Sequence, residues 1–418
     1  MMSEHKEMSS DKPDRTEIQR TAAITEVEKI DSSEHLKRAA EEVLKPFGGG
    51  EGIFREADTI LLKPNLVSPR DFRTGTVTNP HLAAVLVEII ESLPGERKIF
   101  LGDGASVGKN TEEAFKAGGY EKIFAGSEVK LLDIKGEDFE KHSIPEGRSF
   151  TALYLPKILR EIDLIVNLPV LKTHDVFPAT LGLKNLKGLI REEEKKLFHQ
   201  CGLAEAIVDL NLCLDELELD IFTVYDGTVA MEGAGPTSGD AVNFRKLAAA
   251  NNILLGDEVA AECMGIDPGE IKYIEEARRR MELPSLSDPG LTLSSATSGL
   301  EPAEIRRDFE VIDLDESFYG SYDIELNQEG GCSGCRHLLD CMMKDWSEEE
   351  LSELAGKAVF IGEDNDPPET LNEDEIIRIG VCTAEICQQG CYIPGCPPHP
   401  ENLKEEILGG RGKENAEE

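Results

Sequence analysis

Short apolar runs alternate with amphipathic stretches along most of the chain. Asp58-Thr-Ile-Leu-Leu-Lys63 reads as a buried strand that stops at Pro64-Asn65. Asn79-Pro80 then supplies an N-cap and a first-turn proline for the apolar run Leu82 to Ile90, a helix pattern. Lys98 to Gly102 is the next strand, closed by Asp103-Gly104, and Thr111-Glu-Glu-Ala opens the next helix. Val129 to Asp133, Asp163 to Asn167 and Ile221 to Tyr225 continue the series with three more strands. Strands separated by helical segments predict an α/β domain with a mostly parallel sheet and flanking helices. Asp267-Pro268-Gly-Glu270 has the form of a capping box with proline at N1, starting a helix through about Met281.

Polarity divides the chain. Residues 1–20 are charged and almost without large apolar side chains, which predicts a disordered tail. An α/β domain is expected over 21–283, a linker and connecting segment over 284–324, a small cysteine-rich domain over 325–408, and a charged tail over 409–418. At 418 residues, 40% hydrophobic, the chain can form more than one sizeable core. It has no apolar run long enough for a bilayer and its N-terminus lacks a secretory h-region, so a cytoplasmic protein without a membrane partner is expected. The net charge of −38 opposes a phosphate backbone and argues against nucleic acid. That charge suits solubility, or a basic redox partner protein.

Ligands of doubly wound sheets sit beyond the carboxyl ends of the strands, and the polar residues of this chain gather at those ends. They are Lys63, Asn65 and Asp103, then Lys172 and His174, then Lys184 and Asn185 in a lysine-dense segment, and finally Asp226 and Glu232. Any one lysine there is ordinarily just solvated, and a lone histidine is ordinarily structural. Together they point to a site, because binding residues concentrate on loops above a rigid sheet. Lysines suit the carboxylate or phosphate of a small anionic ligand, with charge from Lys63, Lys172 and Lys184 and hydrogen bonds from Asn65 and Asn185. Lys172, His174 and Glu232 are the catalytic candidates, His174 or Glu232 handling the proton. Gly48-Gly49-Gly50 lacks the features of a P-loop, and Gly102-Asp-Gly104 meets Val107 where a dinucleotide fingerprint needs glycine.

The order Leu62-Lys63-Pro64-Asn65, Thr78-Asn79-Pro80, Gly102-Asp103-Gly104, Leu171-Lys172-Thr173-His174, Lys184-Asn185-Leu-Lys187-Gly188 and Asp226 to Pro236 resembles the family called domain of unknown function 362, over about residues 56–280. The family has no general assigned reaction. Many of its members carry an appended ferredoxin domain, which implies a redox setting.

Seven of the 10 cysteines fall in the last hundred residues: Cys332, Cys335, Cys341, Cys382, Cys387, Cys391 and Cys396. In a reducing compartment such clustering points to metal or redox chemistry, and thiolate suits iron–sulfur clusters or zinc. The bacterial ferredoxin string C-x2-C-x2-C-x3-C-P is absent. Gly331-Cys332-Ser-Gly-Cys335, Ile379-Gly380-Val-Cys382 and Tyr392-Ile-Pro-Gly395-Cys396-Pro397-Pro398 are instead similar to the cluster-binding small subunits of nickel–iron hydrogenases and of NADH:quinone oxidoreductase. That resemblance implies one 4Fe–4S cluster on Cys332, Cys335, Cys382 and Cys396. Cys341, Cys387 and Cys391 are extra, and would serve a second cluster, an alternative ligand or redox exchange. A complete second cluster would need His337 or His399 as well. Zinc is the alternative metal, since C-x2-C pairs hold it readily. Cys201, Cys213 and Cys263 lie in helical, apolar surroundings and read as packing residues. The expected function is an iron–sulfur oxidoreductase or electron-transfer protein of an anaerobe, acting on or binding a small anionic ligand. Its rivals are a non-catalytic protein that carries a cluster to a partner, and a zinc-stabilised metabolite-binding protein.

Overall fold

Ile60 and Leu62 pack on one face of the central sheet and Leu61 on the other, so the Thr59–Pro64 strand is buried on both sides. This is why it reads as a continuous apolar run. The computed structural model describes residues 21–409 except 175–176, 282, 284, 289–301, 313–315, 329–332, 345, 363–366, 369, 385–389, 395–397 and 399. The expected tail over 1–20 lies outside the described residues, as does the one over 409–418 apart from Gly409, which ends a helix.

Strands β1 (Ala22–Glu26), β2 (Thr59–Pro64), β3 (Lys98–Asp103), β4 (Lys130–Asp133), β7 (Leu164–Leu168), β8 (Val170–Lys172), β9 (Asp220–Glu232), β10 (Asp240–Val242) and β11 (Lys246–Ala250) form one nine-stranded sheet. Its main order is β1-β11-β9-β7-β2-β3-β4, with β8 and β10 also pairing to β9. The run from β9 to β4 is parallel, while β1 and β11 close one edge antiparallel. β5 (Phe139–Ser143) and β6 (Ala152–Pro156) make a separate hairpin. The architecture is the expected α/β fold. Helix Pro80–Glu91 links β2 to β3, and its N-cap Asn79 accepts from His81 N. From β2 the chain steps outward to β3 and β4, while β7 and β9 extend the other side. That reversal beside β2 is a topological switch point, where open α/β sheets bind ligands.

Two expectations fail here. β9 does not stop at Tyr225 but runs on to Glu232, because β11 and β10 supply antiparallel partners as far as its end. Asp226 is therefore inside a strand. Asp267 does not close a capping box: it accepts from Gly269 N, which tightens Pro268–Glu270 into a single 3-10 turn. Ile271 is then extended, and the helix proper is Lys272–Arg280.

Part of the expected linker is docked. Ile305 and Phe309 join the core of the α/β domain, and Phe309 N donates to Met264 O at 2.9 Å. Tyr319 and Ile324 belong to the next core, that of a four-stranded sheet ordered β12 (Glu325–Asn327), β13 (Ala358–Ile361), β14 (Ile376–Ile379), β15 (Cys391–Ile393). All its pairings are parallel. Helices Ser333–Lys344 and Pro400–Gly409 supply Leu339, Met343 and Leu403 to that core. No helix among the described residues is long and apolar enough to cross a membrane.

Candidate functional site: a lysine-lined cavity at the switch point

Period-two alternation puts Lys63 on the same face of β2 as Leu61, and the register pairs it with Asn167 of β7. Both side chains are wholly buried, at 0% exposure. Lys63 Nζ donates to Asp103 Oδ1 at 2.7 Å and to Pro64 O at 2.9 Å, and Asp103 Oδ2 accepts from Leu66 N at 2.7 Å. Burial holds the Lys63 pKa below its ordinary value, against the opposing pull of Asp103. Gly188 closes over this pair: a Cβ there would stand 1.8 Å from Asp103 Oδ1 and 2.7 Å from Lys63 Nζ.

Above the pair lies a cavity of about 270 Å³ beyond the carboxyl ends of β2, β3 and β8. Asn65, Asp103, Lys172, His174, Lys184 and Asn185 line it, as do Gly104, Ser106, Thr180, Lys187, Gly188, Lys195 and Lys196. The Lys172 ammonium donates to Thr76 O at 2.8 Å and Pro236 O at 3.3 Å. Lys184 Nζ meets His174 Nε2 at hydrogen-bond distance, which places an acid and a base side by side. An amide chain fixes the floor. Asn65 Nδ2 donates to Asn185 Oδ1 at 3.0 Å, Asn185 Nδ2 to Asn167 Oδ1 at 2.8 Å, and Asn167 Nδ2 to Gly182 O at 3.1 Å. Asn65 Oδ1 is buried with no hydrogen-bond partner among the described residues.

Six of the nine α/β site residues expected from sequence thus come together, and three take other places. Lys63 is the cavity's buried foundation and is not among its lining residues. Asp226 is 1% exposed; it accepts from Asn79 N at 2.7 Å and from Thr228, tying the start of helix Pro80–Glu91 to β9. Glu232 faces away, paired with Arg307 at 2.8 Å and with the Glu310 N–H at 3.2 Å. The sequence reading missed Lys195 and Lys196. Both lie on helix Glu192–Gln200, where Glu192 to Lys196 looks like a solvated charge run. The available signal was Lys195 three residues before Phe198, a spacing that puts both on one buried face. Lys195 Nζ donates to Gly104 O at 2.7 Å and Ala105 O at 3.1 Å, and burial brings its pKa down to about 8.

The cavity-lining turn Gly182–Asn185 is held from behind by Asp257, which accepts from Gly182 N at 2.7 Å, Leu183 N at 3.0 Å and Tyr225 Oη at 2.7 Å. Burial raises its pKa from 3.8 to about 7. Its contribution to stability is therefore full below pH 3.8 and is lost as pH rises through about 7. Subtracting the Asp257→Asn unfolding free energy from that of the parent across pH 4 to 8 should give a difference that declines through this window. A flat difference would contradict the assignment.

In the C-terminal domain, β12 and β13 are parallel neighbours, so the helix between them starts on the side where β12 ends. Cys335 lies in its first turn, 2% exposed. Cys382 follows β14 within the 3-10 turn Val381–Thr383 and is part-exposed. Cys332, Cys387 and Cys396, with His399, lie outside the described residues. Among the described residues no group of three or more His, Cys, Asp or Glu is placed to hold a metal. Cys341 is six residues beyond Cys335, about 9 Å along the helix, and is buried. Cys391 opens β15, two positions upstream of the Ile379–Ile393 register pair, and its thiol lies 3.6 Å from Glu406 O. Burial raises its pKa. Both read as packing thiols. Cys213 and Cys263 are buried as expected, and burial pushes Cys213 up to about 12. Cys201 is exposed, contrary to expectation, because it caps the end of helix Glu192–Gln200 just before Gly202 turns the chain at φ 90°.

Over 243 residues the chain is 29% identical to a thylakoid-associated protein of Synechocystis, a match spanning 57% of this chain and 72% of that protein. The lactate racemase apoprotein of Thermoanaerobacterium thermosaccharolyticum superposes over 96% of this chain and 83% of its own, at 14% identity and a TM-score of 0.41. Residues 60–262, which carry the strands from β2 to β11 and every side chain lining the cavity, match the family profile of the domain of unknown function DUF362.

Proposed function

We propose that the protein is an iron–sulfur oxidoreductase or electron-transfer protein that holds a small anionic ligand in the switch-point cavity. The observation that carries the ligand half is charge. Five lysines line one cavity of a chain whose net charge is −38. Concentrating cations there runs against the whole composition, and lysine ammonium groups suit carboxylate or phosphate oxygens. His174, with Lys184 against its Nε2, is placed to move the proton that accompanies electron transfer.

The redox half rests on the C-terminal thiols. Four thiolates are the donor set of a 4Fe–4S cluster, which would supply one-electron chemistry. Cys335, in the first turn of the helix after β12, and Cys382, in the 3-10 turn after β14, both follow the carboxyl ends of parallel strands, which fits that set. In sequence, Cys382 and Cys396 each come three residues after the register pair Ile379–Ile393. Cys332 precedes the helix that carries Cys335. The acidic surface suits a basic redox partner protein as electron source or sink.

The Lys172→Met/His174→Ala double variant should lose anion binding, measured by calorimetry with inorganic phosphate and acetate, and keep the visible spectrum of the parent. Unchanged anion affinity would remove the cavity from the account.

A further inference from the structure

We infer that the ligand of this cavity carries two anionic groups, one met by Lys172 and Lys184 and the other by Lys195 and Lys196. The inference rests on the anion-binding reading of the same cavity and specifies its substrate class. The two lysine sets are anchored at different places on the sheet. Lys172 belongs to β8, beside β9, and its ammonium is tied to Thr76 O and Pro236 O. Lys195 arrives from helix Glu192–Gln200, and its ammonium is tied to Gly104 O and Ala105 O, just past β3. In the sheet, β7 and β2 stand between β9 and β3. A single carboxylate at the Lys172 set leaves the Lys195 ammonium, among the described residues, on main-chain carbonyls.

Lys195 carries the argument furthest. It is 4% exposed, and the hydrogen bonds of its ammonium go to main-chain carbonyls. A buried ammonium bonded to neutral acceptors is costly unless an anion joins it. The charged groups around it are Asp103 from β3, Lys63 from β2, Lys135 from the turn after β4, and Glu192 from its own helix. Asp103 is already committed to Lys63, and Glu192 to Lys135 at 2.6 Å. Gly104 leaves room for this ammonium: a Cβ there would stand 2.8 Å from Lys195 Nζ. The cavity, at about 270 Å³, is at the small end of ligand sites. A short dicarboxylate or a phosphorylated carboxylic acid meets these demands.

The test is calorimetric titration of the full chain with succinate, 3-phosphonopropionate and butyrate, at matched ionic strength. At least one of the two doubly anionic probes should bind at least about tenfold more tightly than butyrate, the effect of one added charged contact. Whichever does so identifies the second anionic group as carboxylate or phosphoryl. Lys195→Met should bring that probe to within about twofold of the same variant's affinity for butyrate, with thermal unfolding confirming a folded variant. The parent protein provides an independent reading: at pH 8 the tighter probe should bind with proton uptake, seen by comparing buffers of different ionisation enthalpy, and butyrate without it. Equal affinity for butyrate and both other probes would overturn the inference and leave the anion site standing. Failure of all three to bind would overturn both.

Discussion

Asp103→Ala is expected to destabilise the α/β domain by about 3–5 kcal/mol, the range for stripping one partner from a buried ion pair. Lys63 is 0% exposed and Asp103 2%, so the ammonium left behind loses the partner that offsets its burial. The same substitution orphans Leu66 N, which donates to Asp103 Oδ2 at 2.7 Å. Replacing both partners removes the stranded charge. Lys63→Met/Asp103→Leu should therefore recover most of the loss, short of about 1–3 kcal/mol for the unpaired Leu66 N–H. Equilibrium urea unfolding measures both. A single-variant loss below about 1 kcal/mol would mean that the pair is hydrated, contrary to its burial. Because Asp103 also lines the cavity, the single variant should lose anion binding as well.

Cysteine substitutions should split into two classes. Cys335→Ser and Cys382→Ser should each abolish the cluster spectrum and most of the bound iron, since in the proposed centre each supplies one of four ligands. Cys341→Ala and Cys391→Ala should keep both. The first is six residues, about 9 Å, along the helix from Cys335, and the second packs against Glu406 O at the opposite end of its strand from the carboxyl edge. Iron content and visible absorption of anaerobically purified variants decide the matter. Loss of iron from Cys391→Ala, with Cys382→Ser unaffected, would reverse the assignment.

Much of this was legible in the chain because local rules and tertiary context agree. Thr59–Pro64, Lys98–Asp103 and Leu164–Leu168 are apolar runs of strand length, and the Asn79-Pro80 start signal is obeyed by the helix it predicts. Polar residues at strand ends found Asn65, Asp103, Lys172, His174, Lys184 and Asn185. The failures have a common cause, which is that a polar residue at a strand end can turn inward. Asp226 looks like a strand mouth only until β10 and β11 extend its ladder, and Lys63 looks like a ligand contact until Gly188 packs over it. Lys195 was hidden for the opposite reason. It sits in a run of charges that local sequence reads as solvated, and only the approach of the helix to Gly104 turns it inward. Its one local signal is the three-residue spacing to the buried Phe198.

The central claim is that the C-terminal thiols hold a redox-active iron–sulfur centre beside an anion-binding α/β domain. Quantifying iron and acid-labile sulfide in the anaerobically purified full chain, with electron paramagnetic resonance of the reduced form, tests it most directly. The account predicts about four iron and four sulfide per chain, and a paramagnetic signal that appears on reduction. Colourless protein holding zinc without iron or sulfide would contradict it.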